Sequence, residues 1–212
     1  MQYYLKMKQS NALIVANGTK LATKKLETLA KQADFIIAAD GGANILAKTK
    51  IVPDIVLGDL DSITKTTRKK FANKLLHIKK QDNTDLEKAL DYAVKKGYKN
   101  IFIACASGDR PDFNFCNYLM SLCYINTVNI IFEEKDWRVF PISKSGIFTC
   151  KKGAIVSIAA LGTPIISLEG LKYKLTNHKM RNCEIGISNF AIKNEFSITF
   201  TGGKLLVFVE SK

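Results

Sequence analysis

The chain reads as an α/β protein: an open, mostly parallel sheet forming a nucleotide domain, followed by a smaller antiparallel β-sandwich domain. Two observations carry this expectation. In the first two-thirds, short apolar runs alternate with segments of helical period, the pattern of parallel βαβ units. After about Trp137 the helical periods vanish, and short apolar runs follow one another between Gly, Pro and Asn, as in a sandwich. The expected boundary therefore divides residues 1–136 from 137–212, with no low-complexity linker between the halves.

In chain order, the strand-like runs of the first half are ALIVAN (12–17), DFIIAAD (34–40), DIVLGD (54–59), LLHIKK (75–80), NIFIACA (100–106) and VNIIFEE (128–134). Helical segments fall between them, near 20–32, 43–49, 64–74, 84–96 and 111–124. The clearest is TDLEKALDYAVKKG. Thr84 and Glu87 form a capping box, Leu86, Ala89, Leu90, Ala93 and Val94 share one face, and Gly97 supplies the stop. In the second half GIFTC, AIVSIAAL, IISLEG, LKYKL, FSITFTGG and KLLVFVE are the expected strands.

Composition narrows the function classes. With 212 residues, 47% of them hydrophobic, the chain can bury one generous core or two modest ones. No apolar run has the length of a membrane span, and the first residues lack a secretory pattern, so a cytoplasmic protein with no membrane partner is expected. Five cysteines without a C-x-x-C pair read as free thiols, mostly buried. The net charge of +13 raises nucleic acid as a partner. However, the charge is spread-out lysine with only Arg68, Arg110, Arg138 and Arg181, and it reads as a solvated basic face; no nucleic-acid partner is expected.

The chemistry concentrates at strand ends. In PDIVLGDLDSI a strand runs into Asp59 and Asp61. If the backbone stays extended, the two carboxylates point to the same side and call for a cation. Alternatively Asp61 or Ser62 caps a helix beginning near Ile63. In an open α/β sheet, ligands bind beyond the carboxyl ends of the strands. Asp40, Asp59 with Asp61, Asp82 with Asp85, and Asp109 with Asp112 follow successive strands there, with Gly41, Gly42, Gly58 and Gly108 beside them. The familiar nucleotide-loop, zinc-protease and serine-hydrolase signatures are missing, and only His77 and His178 are present. Carboxylates without histidine suit Mg²⁺, which takes oxygen ligands and binds together with substrate phosphates. Arg110, the arginine near these ends, is the candidate phosphate clamp.

ADGGAN, PDIVLGDLDSI, QDNTDLEKAL and GDRPD, in that order, with the later LEGLKYKLTN and GISN, resemble the thiamine pyrophosphokinase family from about Ala12 to Val209. The resemblance implies Mg²⁺-dependent transfer of a pyrophosphoryl group from ATP to the hydroxyl of thiamine, releasing AMP. It also implies a homodimer with thiamine near the subunit interface. By motif, Asp59, Asp61, Asp82 and Asp85 gather Mg²⁺ and phosphates, and Asp59, Asp61 and Arg110 are the catalytic set. Asp40, Gly41, Gly42, Asn44, Thr84, Asp85, Lys88, Arg110 and Asp112 form the ATP side, and Ser188 and Asn189 lie by thiamine. The chain departs from the family pattern at Asp109, Phe113 and Lys174. An ion pair between Asp109 and Arg110 is expected from their adjacency. The alternatives are a pyrophosphokinase for another alcohol, such as a hydroxymethyl-pterin, and a non-catalytic nucleotide- or nucleic-acid-binding protein.

Overall fold

A computed structural model describes residues 10–79 and 82–211. Lys80 and Gln81, at the end of the fourth expected strand and the start of the QDNTD motif, lie outside the described residues. The chain divides into two compact units, one closing at Lys135 and the other opening at Asp136.

The first unit is the parallel sheet that the alternating pattern predicts. Its strands are β1 (Asn11–Val15), β2 (Phe35–Ala39), β3 (Ile55–Gly58), β4 (Leu75–His77), β5 (Asn100–Ala104) and β6 (Asn129–Glu133). They lie in the order β6-β5-β1-β2-β3-β4, and every pair between them is parallel. β1 and β5 occupy the middle and are apolar almost throughout, because both faces of a central parallel strand are covered.

The crossovers are α1 (Thr23–Gln32), α2 (Gly42–Ala47), α3 (Lys65–Lys70) with a 3₁₀ turn over Ala72–Lys74, α4 (Asp85–Lys95) and α5 (Pro111–Ser121). In α4 the Thr84 side chain accepts the Glu87 N–H, and Leu86, Ala89, Leu90 and Ala93 form the buried face. The chain steps outward from β1 to β4, then returns to the other side of β1 for β5. That reversal separates the loops following β1 and β5, leaving a crevice at their carboxyl ends.

The second unit is a two-sheet sandwich. One sheet has the order β12-β9-β14-β7, from β7 (Trp137–Ile142), β9 (Ile155–Leu161), β12 (Ile185–Phe190) and β14 (Lys204–Glu210). The other has the order β11-β10-β13-β8, from β8 (Gly146–Thr149), β10 (Ile165–Glu169), β11 (Leu175–Lys179) and β13 (Glu195–Thr201). All pairs are antiparallel. Burial alternates strictly along β9 and β13. Phe140 of β7 meets Phe148 of β8 edge to face at 5.3 Å, and Phe148 stacks on Phe196 at 5.1 Å, so rings from the two inner faces fill the core.

Three expectations are corrected. LKYKL is not a strand: apart from the bridge Leu171 to Ala191, pairing begins only at Leu175. Two strands are unexpected, β7 from WRVFPI and β12 from IGISNF; β12 is an edge strand whose exposed, glycine-containing sequence has no buried alternation to betray it. The cysteines are free, but only Cys105 is buried; Cys116, Cys123 and Cys183 are exposed and Cys150 is half-buried.

Candidate active site

A cavity of about 580 Å³ lies at the carboxyl ends of the first unit's strands. Its walls are residues 16–19 after β1, Ala39 and Asp40 at the end of β2, Ser62, residues 84–86 at the start of α4, and residues 106–110 after β5 with Phe113, Asn114 and Asn117 of α5. This is the crevice that the strand order leaves open.

Carboxylates gather at one end. Asp40, Asp59 and Asp61 place one oxygen each within 4.8 Å of one another. The extended backbone expected for 59–61 is not how they meet. β3 ends at Gly58, and Leu60 turns through a left-handed φ of 64°, after which the Asp61 N–H donates to Asp59 Oδ1 at 3.3 Å. The alternative capping role falls to Thr64, the actual N-cap of α3. Gly58 has φ 146°, and a Cβ there would lie 2.8 Å from Asp85 Oδ1 and 2.9 Å from Asp40 Cβ. Glycine is therefore what lets the acids close around this turn.

Asp40 is the buried member, 3% exposed, with φ 41°. Its N–H is held by the Leu57 carbonyl at 2.8 Å. Burial pushes its carboxyl above the ordinary range; a hydrogen bond from Ser62 pulls back, and Asp85 pushes further up. Its Oδ1 is buried without a hydrogen-bond partner among the described residues. An orphaned buried carboxylate oxygen beside two more carboxylates, in an all-oxygen donor set, fits a hard divalent cation such as Mg²⁺.

Asp85 stands next to this group and does different work. Its Oδ1 takes the Asp59 N–H at 3.3 Å and the Lys88 ammonium at 2.9 Å. Lys88 is only 6% exposed, so its charge is matched by Asp85. Asp82 is exposed and not in the three-carboxylate group. Gly41 is the N-cap of α2 and Gly42 opens it. Asn44 acts on the turn itself: its amide donates to the Ser62 carbonyl at 2.8 Å and accepts the Thr64 N–H at 3.0 Å. Thr84 joins its capping duty to a place on the cavity wall.

The opposite wall carries the cation. Arg110, with a side chain 68% exposed, forms a fork on Asp112 with bonds of 3.2 and 2.5 Å. That bond holds the Asp112 carboxyl below its usual range. The guanidinium also lies 4.2 Å from the centre of the Phe113 ring. The expected partner, Asp109, is not the one that takes the fork. Asp112 lies two residues on, in the first turn of α5, where its oxygens reach both nitrogens. Asn114 clamps Gly108 from both sides, at 2.8 and 2.9 Å.

Ser188 and Asn189 belong to the second unit, on β12. Ser188 has φ 59°, and the pairing of β12 with β9 slips between Gly186 and Asn189. The Asn189 side chain is committed to the backbone of Tyr173, accepting at 2.9 Å and donating at 2.7 Å. Residue types alone did not disclose the burial of Lys88, the left-handed turn at Leu60 or the Asn44 clamp. All three depend on contacts between separate motifs.

Comparison with known proteins decides the family. Residues 26–132 match the family model described as thiamin pyrophosphokinase, catalytic domain, and residues 144–205 match thiamin pyrophosphokinase, vitamin B1 binding domain. The chain belongs to the thiamin pyrophosphokinase family. A thiamine pyrophosphokinase from Bacillus subtilis is 28% identical over 204 residues, covering 92% of this chain and 95% of that one. Among solved structures, thiamin pyrophosphokinase from Candida albicans superposes with a TM-score of 0.85 at 19% identity, covering 100% of this chain and 92% of that one. The Bacillus subtilis structure gives 0.83 at 24%, covering 96% of this chain and all of the other. These likenesses establish the fold. The family match makes the protein an enzyme of a thiamine-binding, ATP-using family.

Proposed function

We propose that this enzyme transfers a pyrophosphoryl group from ATP to the hydroxyl of thiamine in a Mg²⁺-dependent reaction, giving thiamine diphosphate and AMP. The observation that carries the reading is the convergence of Asp40, Asp59 and Asp61 beside a cavity at the strand-order reversal. Asp59 and Asp61 would hold the ion, with the orphaned oxygen of Asp40 as a third donor. When bound, the ion neutralises phosphate oxygens and draws charge away from the bond that breaks.

The chain's own residues supply the rest. Lys88 and Asp85 fix the turn that carries Asp59, and Thr84 presents the start of α4 to the nucleotide. Arg110 leaves Asp112 to share the phosphate charge. Gly41 and Gly42 bring backbone close to ATP, and Asn44 keeps the 62–64 turn in place. We assign the first unit to ATP and catalysis and the second to thiamine and dimerisation. Ser188 offers an exposed hydroxyl to thiamine, and Asn189 shapes the Tyr173 loop beside it. The match to a vitamin B1 binding model supports thiamine over a pterin alcohol as acceptor.

The homodimer rests on β12, an edge strand presenting Ile185 and Ile187 at 62% and 71% exposure, with Tyr173, Phe190 and Ile192 also exposed. Light scattering of an active sample is expected to give twice the monomer mass; a monomer would refute it. A cytoplasmic location agrees with five unpaired cysteines. No helix among the described residues is long and apolar enough to cross a membrane. The decisive assay incubates the protein with MgATP and thiamine and follows AMP and thiamine diphosphate. Thiamine-dependent AMP that disappears with EDTA is expected; AMP formation indifferent to thiamine would overturn the proposal.

A further inference from the structure

The roles assigned above leave two adjacent buried carboxylates unused, Glu133 and Glu134. Glu134 follows β6 and is only 6% exposed. Burying a carboxylate is costly unless it is hydrogen-bonded, and burial pushes this one above its ordinary range. Its Oε2 accepts the Ser107 hydroxyl at 2.6 Å, and its main-chain carbonyl accepts the Lys25 ammonium at 2.7 Å. Lys25 in turn pairs with Glu133 at 2.9 Å. Glu134 is therefore anchored from the sheet side and reaches one residue on the cavity wall.

Ser107 joins two loops of that wall. Its carbonyl accepts the Thr19 N–H at 2.6 Å, while Cys105 in the same loop accepts the Gly18 N–H at 2.7 Å. The loops touch so closely that a Cβ on Gly18 would sit 2.3 Å from the Ser107 oxygen. The neighbours of Ser107 have their own holds from α5: Asn117 donates to the Ala106 carbonyl at 2.8 Å, and Asn114 clamps Gly108. The Ser107 side chain is held by Glu134, and the Tyr118 hydroxyl of α5 hydrogen-bonds with both. Gly18, Thr19, Ser107 and Gly108 all line the cavity.

We infer that Glu134 is a positioning residue for the nucleotide: through the Ser107 hydroxyl it fixes the two loops, after β1 and after β5, that form the ATP side of the cavity. The inference rests on ATP occupying this cavity, as proposed above. It touches neither the reacting phosphates nor thiamine. Its signature is a raised KM for ATP, with kcat and the KM for thiamine little changed.

The test is a double-mutant cycle on the full-length enzyme, with steady-state kinetics for both substrates. Ser107→Ala and Glu134→Ala are each expected to raise the ATP KM about tenfold. The double variant should be no worse than Glu134→Ala alone, because the interaction lost in Ser107→Ala is already lost with the carboxylate, whose contact with Tyr118 goes as well. Glu134→Gln, whose amide oxygen still accepts from the hydroxyl, should restore most of the affinity. An unchanged ATP KM in Ser107→Ala overturns the inference, and this variant suffices should Glu134→Ala not fold. Additive effects, or an equal rise in the thiamine KM, also overturn it. If the wild type forms no thiamine-dependent AMP, the functional reading fails as well. A wild type that turns over normally beside a silent Ser107→Ala defeats the inference alone.

Discussion

Asp40 and Arg110 line the same cavity from opposite sides, and they are held in opposite ways. Asp40 is 3% exposed, sits in a left-handed backbone conformation and lies among Gly58, Asp59, Asp85 and Ser62. The Arg110 side chain is 68% exposed and rests on its own helix turn, on Asp112 and Phe113. The acid side is set before a ligand arrives, by backbone bonds that cost nothing further to organise at the moment of reaction. The guanidinium side is parked on an exchangeable surface pair, which a phosphate can replace. Removing a group from the first side should therefore damage catalysis, and changes on the second should shift ATP affinity.

The largest effect is expected from Asp59→Asn or Asp61→Asn. Each keeps the shape and loses a charge that holds the cation, so kcat should fall by about 100-fold or more with circular dichroism unchanged. Near-wild-type turnover at modest Mg²⁺ would reduce that acid to a turn former. Next comes Arg110→Ala, for which the ATP KM should rise by about 10- to 100-fold as the charge-assisted phosphate contact is lost. A fall in kcat with an unchanged KM would mean that the arginine acts only on the transition state, and the contrast between the two walls would dissolve.

Smaller effects sharpen the contrast. Asp112→Asn frees the fork and should tighten apparent ATP affinity, by no more than about fivefold for so exposed a pair. Asp109→Gly should change it by less than about twofold, because Asp109 does not hold the fork. Weaker ATP binding by Asp112→Asn would show that the pair orients Arg110 instead of parking it.

Asp40 offers a test by pH. Its folded-state pKa is raised, so the native state holds this proton more tightly than the unfolded chain. Its penalty is absent below the unfolded pKa and complete once pH has risen through the folded one. Without metal, Asp40→Asn should melt above the wild type at pH 7, where the wild type carries the full penalty of the buried charge. The gap should narrow as pH falls through the folded pKa. A gap that stays constant with pH would mean that the carboxyl is not strained by burial.

What could be read in advance follows the same division. The parallel sheet was legible because its central strands are apolar runs between amphipathic helices, and α4 announced its own cap and buried face. The strand-end acids were legible because the fold class says where ligands bind. What escaped were features made by contacts between distant segments. Leu60 turns left-handed under constraints that no local periodicity records, and Lys88 is buried because Asp85 is there to meet it. Asp85 was expected as a metal ligand, yet its Oδ1 is shared between Lys88 and the Asp59 N–H. β12 escaped because it is an exposed edge strand, and β-propensity has little to act on where neither face is buried.

Binding of Mn²⁺, as a spectroscopic stand-in for Mg²⁺, tests the central claim most directly. Loss of the free-ion paramagnetic resonance signal can be followed on titrating wild type, Asp59→Asn and Asp61→Asn without nucleotide. The account predicts that the wild type binds the ion and that either substitution weakens binding by about tenfold or more. Equal binding by all three proteins would contradict it.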